Sequence, residues 1–337
     1  WLSDKYVMAV DIEYLKQWTG RSETVQDVLH AKPLVLFSAT LDRQDPPPKE
    51  GDEIPPFWHG LYFLTATRQS ELGADGHPPR GGFLPPVPLP RRMFAGAQVD
   101  FVRPLRVGQT VERRSTILGV SQKQGRSGEM VFLQLQHEIS DAAGVCVIET
   151  QDIVYRDEPV VEAKTQTGLS EQAVAAASTV SPAPTFSNNE VPVKESLVTP
   201  VPTTPAPVTP ASATPAPATP AQWSRTITPD PVLLFRYSAL TFIGHRIHYD
   251  YPYTTAVEGY PGLVVHGPLQ ATMLLDLLRC ELPQCVPKCF VFRAVSPLFC
   301  NGAFRVCGAP SGEGQYRTWI EDQQGRVTMQ ATVDVSE

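Results

Sequence analysis

Two stretches decide the reading of the fold: His137–Tyr155, HEISDAAGVCVIETQDIVY, and Thr318–Ser336, TWIEDQQGRVTMQATVDVS. Each runs as a partly alternating segment, a turn of the form Asp-x-x-Gly, and a second partly alternating segment. Alternation sends successive side chains to opposite faces of a strand, and the glycine permits the turn, so both read as β-hairpins. A Pro-Leu pair precedes each, Arg103-Pro104-Leu105 and Ser296-Pro297-Leu298, and reads as the start of a strand. The same order on both sides, helix and then antiparallel strands, points to duplication of one α+β unit.

Working outward from the first hairpin, Ala97–Phe101, Thr110–Val120, Met130–Ser140 and Cys146–Arg156 are rich in β-branched and aromatic residues and read as strands. Gly125–Gly128 and Asp141–Gly144 read as their turns. Upstream, Ser22-Glu23-Thr24-Val25 reads as the cap of a short helix through Leu29. Pro33–Leu41 is a compact apolar run open to helix or strand, and Phe57–Leu64 reads as a short buried helix. Gly73–Pro90 is so rich in Gly and Pro that it reads as a loop laid over a surface. Around the second hairpin, the expectations are a helix over His266–Cys280 and strands at Cys289–Val295, Ala303–Cys307, Gln315–Glu321 and Val327–Val335. Between the halves, residues 157–222 are dominated by Pro, Thr, Ala and Val. Such a segment buries too little area to offset the cost of ordering, so it reads as a disordered, polyproline-leaning tether. An antiparallel sheet wrapped around one long helix is the hotdog fold. The expectation is therefore a double hotdog of class α+β, with an N-terminal unit at 1–156 and a C-terminal unit at 223–337, packed as an intramolecular pseudo-dimer.

The chain of 337 residues is 42% hydrophobic and carries a formal net charge of -7. That charge argues against nucleic acid, which wants a basic face. No run approaches the about 18 apolar residues that a membrane span needs. The first residues, WLSDKYVMAVDIEYLK, lack the basic start and unbroken apolar core of a signal peptide. The chain starts on Trp1, which leaves a removed targeting segment open. The six cysteines are too scattered for a disulfide scaffold. Cys280, Cys285 and Cys289 lack a CxxC spacing, so no metal site is expected.

Chemistry concentrates in Tyr237–Leu275, YSALTFIGHRIHYDYPYTTAVEGYPGLVVHGPLQATMLL. It holds three of the seven histidines, His245, His248 and His266, beside aromatic residues and glycines, and runs into the expected helix. A histidine has an unperturbed pKa near working pH and suits acid–base chemistry. A glycine N–H in the first turn of a buried helix is unpaired, sits at the positive end of the helix dipole and admits a close approach. Those properties suit a histidine of this segment to serve as base and acid, and a glycine N–H at the helix start to donate to a developing oxyanion. The plain alternative for His248 is a buried imidazole bonded to a carbonyl. For Arg246 it is a surface ion pair, for His266 a capping or backbone-orienting role, and for Tyr249, Tyr251, Tyr253 and Tyr260 ordinary rim packing.

The runs WTGRSETVQDVL (18–29), FWHGLYFL (57–64), RGGFLPPVPLPRRMFAGAQVDFVRPLRVGQTVERRSTI (80–117) and FRYSALTFIGHRIHYDYPYTTAVEGYPGLVVHGPLQATMLLDLL (235–278) resemble the MaoC-like double-hotdog enzymes. Within these, the resemblance is to the type 2 hydroxyacyl-thioester dehydratase and mesaconyl-CoA hydratase subfamily. It covers about 1–156 and 223–337 and implies a hydro-lyase acting on acyl thioesters, with one site per double hotdog. It places His248 at the catalytic histidine and His266-Gly267 at the opening of the central helix. It also implies that His245, Arg246, Tyr249, Tyr251, His266, Trp58 and Arg92 bind substrate, and that the N-terminal half, which lacks the histidine dyad, forms the tunnel. The family has Asn or Asp five residues before the histidine; this chain has Ile243, which offers no donor or acceptor. Two readings follow: a hydratase or dehydratase, or a degenerate relative that binds an acyl thioester or a partner, or serves a secondary pathway. No cofactor is implied beyond the coenzyme A or phosphopantetheine of the substrate. The expected partner is an acyl-CoA or acyl-carrier-protein thioester. The expected state is a monomeric pseudo-dimer or a homodimer, in the mitochondrial matrix or the cytoplasm.

Overall fold

The computed structural model describes residues 9–125, 128–157 and 220–336. The expected tether falls almost wholly outside these residues. The chain opens with α1 (Ile12–Lys16), capped by Asp11, then β1 (Ser22–Val28) and α2 (Ala31–Thr40). A long antiparallel set follows: β2 (Arg91–Phe101), β3 (Thr110–Gly125), β4 (Gly128–Asp141) and β5 (Gly144–Arg156). The second half repeats the order with β6 (Trp223–Ile227), α3 (Pro231–Leu240), α4 (Tyr251–Ala256), α5 (Gly267–Glu281), β7 (Val286–Ala294), β8 (Phe304–Gly312), β9 (Gln315–Glu321) and β10 (Val327–Ser336).

All ten strands join one sheet in the order β1-β3-β4-β5-β2-β7-β10-β9-β8-β6. Read from the middle outward, the two halves of that order are the same. The halves meet where β2 pairs antiparallel with β7, Gly96 opposite Arg293 through Asp100 opposite Cys289. A Cβ on Gly96 would fall on the Phe292 carbonyl oxygen, so the junction admits only glycine there. This is a double hotdog of class α+β, and α5 is its long central helix. Its residues Leu269 through Leu278 are all buried, and it packs on β6, β8, β9 and β10. At about 1.5–3 kcal/mol for each fully buried Leu or Met side chain, this one helix anchors much of the core.

Both quoted hairpins form as read, with Asp141 opposite Gly144 and Val327 opposite Glu321. Four local expectations need correction. Ser22–Val28 is a strand paired with β3, not a capped helix. A capping pattern is a local signal worth about 1 kcal/mol, and seven residues of cross-strand pairing outweigh it. Arg103-Pro104-Leu105 and Ser296-Pro297-Leu298 lie after β2 and β7 rather than starting strands, since proline cannot donate to the ladder. The Phe57–Leu64 run shrinks to one buried 3-10 turn, Trp58–Leu61. The Gly/Pro segment is a loop, but not one laid on the surface. Val87 and Leu89 are buried and pack with Ile117, Leu133 and Tyr155 on the face of the N-terminal sheet. Among the described residues that half has no helix comparable to α5, and apolar residues of this loop and of α1 cover the β3–β5 face instead.

Candidate active site

The 3-10 turn Arg246–His248, α4 and the N-terminus of α5 carry the segment singled out in the sequence. His248 is 9% exposed, and its Nδ1 lies 2.7 Å from the Val264 carbonyl oxygen. A carbonyl only accepts, so Nδ1 carries the hydrogen and Nε2 presents its lone pair. Nε2 has no partner among the described residues. The plain reading of this histidine is therefore half right, because the structural bond uses one nitrogen and leaves the basic one free. Burial brings the His248 pKa down to about 4, so the ring is a neutral acceptor at neutral pH.

His266 stacks on His248 at 3.6 Å between centroids, and its Nε2 lies 2.9 Å from Ser238 Oγ. It is buried and lies at the N-cap position of α5, making no side-chain cap bond. Gly267 follows at the first helical position, and no hydrogen bond to its N–H occurs among the described residues. A side chain there would meet Phe94. His248 thus sits beside an unpaired helix-start donor, and both belong to the second half.

Between the halves of the sheet lies a cavity of about 710 Å³. Phe94, Phe235, Phe242, Ile243, Tyr249 and Pro268 give it apolar walls. Phe235, Phe242 and Tyr249 are also strongly exposed, which makes them the rim. The lining includes neither His248 nor Gly267, although their neighbours Tyr249 and Pro268 belong to it. A second cavity, of about 400 Å³, is lined by His245, Tyr253, Tyr260, His77 and both Arg91 and Arg92. His77 and Arg92 line both.

The remaining sequence-predicted residues divide. Arg92 and Tyr249 reach the larger cavity, and His245 the smaller. Arg246 is spent on structure: its guanidinium bonds Asp250 at 2.7 Å and the Ala74 carbonyl at 3.0 Å, and it lies over Tyr253. Trp58 is a core residue, 3% exposed, packed on Phe37 with Arg279 over its ring, and it lines neither cavity. Tyr251 is 57% exposed and lines neither. Local resemblance marks such positions as near the site without saying which way each side chain turns.

The N-terminal half contributes more than a tunnel wall. His59 Nε2 and Glu149 Oε2 form a buried pair at 2.8 Å in the large cavity, and Gln151 donates to Glu149 at 2.9 Å. Burial raises the Glu149 pKa, but His59 and His137 outweigh it and hold the carboxyl down to about 2. His137, bonded to Ser115 at 2.9 Å, is brought down to about 4 by burial. A carboxylate within a strand rich in apolar residues, cross-strand from a histidine, is the signal that could have found this cluster.

The loop before β2 adds a second pair, Asp75 and His77, 3.0 Å apart between Oδ2 and Nδ1. The His77 ring lies 4.0 Å from that of His245, and His245 lies 5.4 Å from His248. Burial lowers the His77 pKa against the pull of Asp75, and it lowers that of His245 to about 2. Donor atoms of Asp75, His77 and His245 lie within 4.8 Å of one another, a set of metal-ligand type.

The model of the hydroxyacyl-thioester dehydratase type 2 family matches residues 57–191 and 184–300 of the chain. The mesaconyl-C(4)-CoA hydratase of Chloroflexus aurantiacus is 39% identical over 320 residues, 94% of this chain and 96% of that protein. The mitochondrial hydroxyacyl-thioester dehydratase type 2 of Schizosaccharomyces pombe is 28% identical over 272 residues, 80% of each. A solved structure of a MaoC-like dehydratase from Phytophthora capsici is similar at a TM-score of 0.62 and 13% identity, covering 97% of this chain and 99% of that one.

Proposed function

The chain belongs to the type 2 hydroxyacyl-thioester dehydratase family, and from that premise we propose that His248 and Gly267 carry its hydro-lyase chemistry. The protein is a hydratase/dehydratase of acyl thioesters. In the hydration direction, His248 Nε2 takes a proton from water as the oxygen bonds C3 of the enoyl thioester. The electron pair of the C2–C3 double bond moves toward the thioester carbonyl, where the Gly267 N–H and the α5 dipole meet the developing charge. His248 then returns its proton to C2. The observation that carries this reading is the free Nε2 of a ring whose Nδ1 is fixed on Val264, three residues before the start of α5.

Coenzyme A or carrier-bound phosphopantetheine enters as part of the substrate, with the exposed aromatic rim at its acyl end. His59, Glu149, Arg113 and His137 line the same cavity as the apolar walls, which supports a short, polar acyl group over a long alkyl chain. The name of the Chloroflexus relative, a hydratase of mesaconyl thioester, points the same way. The name of the fission yeast relative supports a mitochondrial compartment.

The test is an absorbance assay on mesaconyl-, crotonyl- and 3-hydroxyacyl-CoA. Wild type is expected to turn over at least one, and His248→Ala to lose about 10²–10⁴ of the rate. If both proteins are silent while a thioester still binds, the degenerate binding reading replaces this one.

A further inference from the structure

Ile243 offers no hydrogen bond where the resemblance to the family implies one, and the fold brings polar groups into the cavity that Ile243 lines. His77 lines the same cavity as Ile243 but comes from the loop before β2. That loop is docked on the Ile243–Arg246 segment by backbone. Arg246 N donates to the Asp75 carbonyl at 2.9 Å, and the Arg246 side chain donates to the Ala74 carbonyl at 3.0 Å. Gly76, at φ +84, passes so close that a Cβ would fall on the Gly244 carbonyl oxygen. Inside the loop, Gly73 N donates to the His77 carbonyl at 2.8 Å. The Asp75 carboxylate accepts from the His77 N–H at 3.0 Å and meets its Nδ1 at 3.0 Å. A carboxylate only accepts, so Nδ1 carries the ring hydrogen and Nε2 presents a lone pair. This is a side chain whose rotamer, tautomer and backbone are all held.

We propose that His77, oriented by Asp75, is a second catalytic residue of this site, accepting a hydrogen bond from the reacting water in the place that Ile243 leaves unserved. The proposal rests on the hydratase/dehydratase reading above. A water has two hydrogens and the reaction consumes one of them. The first goes to His248 Nε2 and returns to C2. The second points at His77 Nε2 throughout, stays on oxygen, and becomes the hydroxyl hydrogen of the 3-hydroxyacyl product. His77 itself makes and breaks no bond, and the net change is the addition of one water across C2 and C3. Two lone pairs, one from each half of the molecule, fix the water so that its own lone pair faces C3. His245 neighbours both rings, its centroid 4.0 Å from that of His77 and 5.4 Å from that of His248.

A divalent cation on Asp75, His77 and His245 is the competing occupant of this corner. Two features oppose it. The Asp75 and His77 atoms are already bonded to each other. The Arg92 guanidinium also acts on both imidazoles, and no carboxylate forms an ion pair with it among the described residues.

The experiment uses the full chain and a thioester that wild type turns over and His248→Ala does not. His77→Gln is expected to lower kcat about 10²–10³-fold with KM within about threefold, the signature of a lost transition-state contact. Asp75→Asn keeps an acceptor for the His77 N–H but weakens the hold on the ring. It is expected to lower kcat about tenfold at unchanged KM, and it serves as the second probe should His77→Gln fail to fold. Ile243→Asn is expected to raise the kcat of His77→Gln at least about tenfold by restoring an amide to the water. Wild-type kcat in His77→Gln and Asp75→Asn overturns this inference and leaves the His248 reading standing. Silence of wild type on the whole panel overturns both. Activity lost to a chelator and restored by zinc or another divalent ion overturns it in favour of a metal site.

Discussion

At the residue scale, His248 was legible because its two neighbours in sequence terms, the glycine-rich bend and the helix start, announce a site. Its tautomer was not, because that depends on the Val264 carbonyl sixteen residues away in the chain. His77 was invisible for a stronger reason: its meaning depends on a backbone contact between Gly76 and Gly244, which nothing local encodes. The Gly and Pro of this segment read as a loop over a surface, although an Asp and a His among glycines in a loop are residue types that carry chemistry. Gly76 lets us test that contact. Gly76→Ala puts a Cβ against the Gly244 carbonyl oxygen and forces alanine to φ +84, at a cost of about 1–3 kcal/mol. The expected outcome is a lower urea midpoint together with a fall in kcat, since the docked loop carries His77. An unchanged kcat with a lowered midpoint would show that the loop is only structural.

At the element scale, local signals hold at some elements and yield to tertiary pairing at others. α3 starts where Asp230 caps the Leu233 N–H at 2.7 Å and Pro231 occupies the first turn, which the sequence displays openly. β1 carries an equally clear helix-start pattern and ignores it, because β3 offers a paired edge. α5 shows a further tertiary decision. Asp276, 3% exposed on the buried stretch of that helix, is held by Arg43 at 2.6 Å and Arg225 at 3.3 Å. Arg43 follows α2, so this carboxylate ties the central helix to the N-terminal half. Removing it leaves a mostly buried Arg43 with Asp45 alone. Asp276→Ala is therefore expected to cost about 3–5 kcal/mol, read as a drop in the denaturant midpoint without a change in the slope. A loss below about 1 kcal/mol would show the pair to be solvent-screened.

At the scale of the whole molecule, one sheet and two cavities are built from both halves, and the titration of buried groups reports on their union. His248 and His137 sit near 4 in the fold against an ordinary 6.5. Between those values the unfolded chain binds protons that the folded one excludes, so stability falls as pH drops from about 6.5 toward 4. Glu149, held near 2 against an ordinary 4.5, adds a loss below about 4.5 because its pairing vanishes on protonation. The expected urea midpoint is highest above pH 6.5 and declines steadily below it. A midpoint flat from pH 7 to 4.5 would mean that these rings are hydrated in solution. The sequence by itself determined the duplicated α+β plan, the central helix with Gly267 at its start, and His248 as the residue of interest. Periodicity, turn chemistry and a helix entrance are local, and each half repeats them. Only the tertiary structure decided that the halves share one sheet through β2 and β7, that Trp58 packs on Phe37 and Arg246 bonds Asp250, and that His59, Glu149 and His77 line the cavity. Those outcomes come from contacts between residues far apart in the chain, where burial and hydrogen-bond partners, not local pattern, set what a side chain can do.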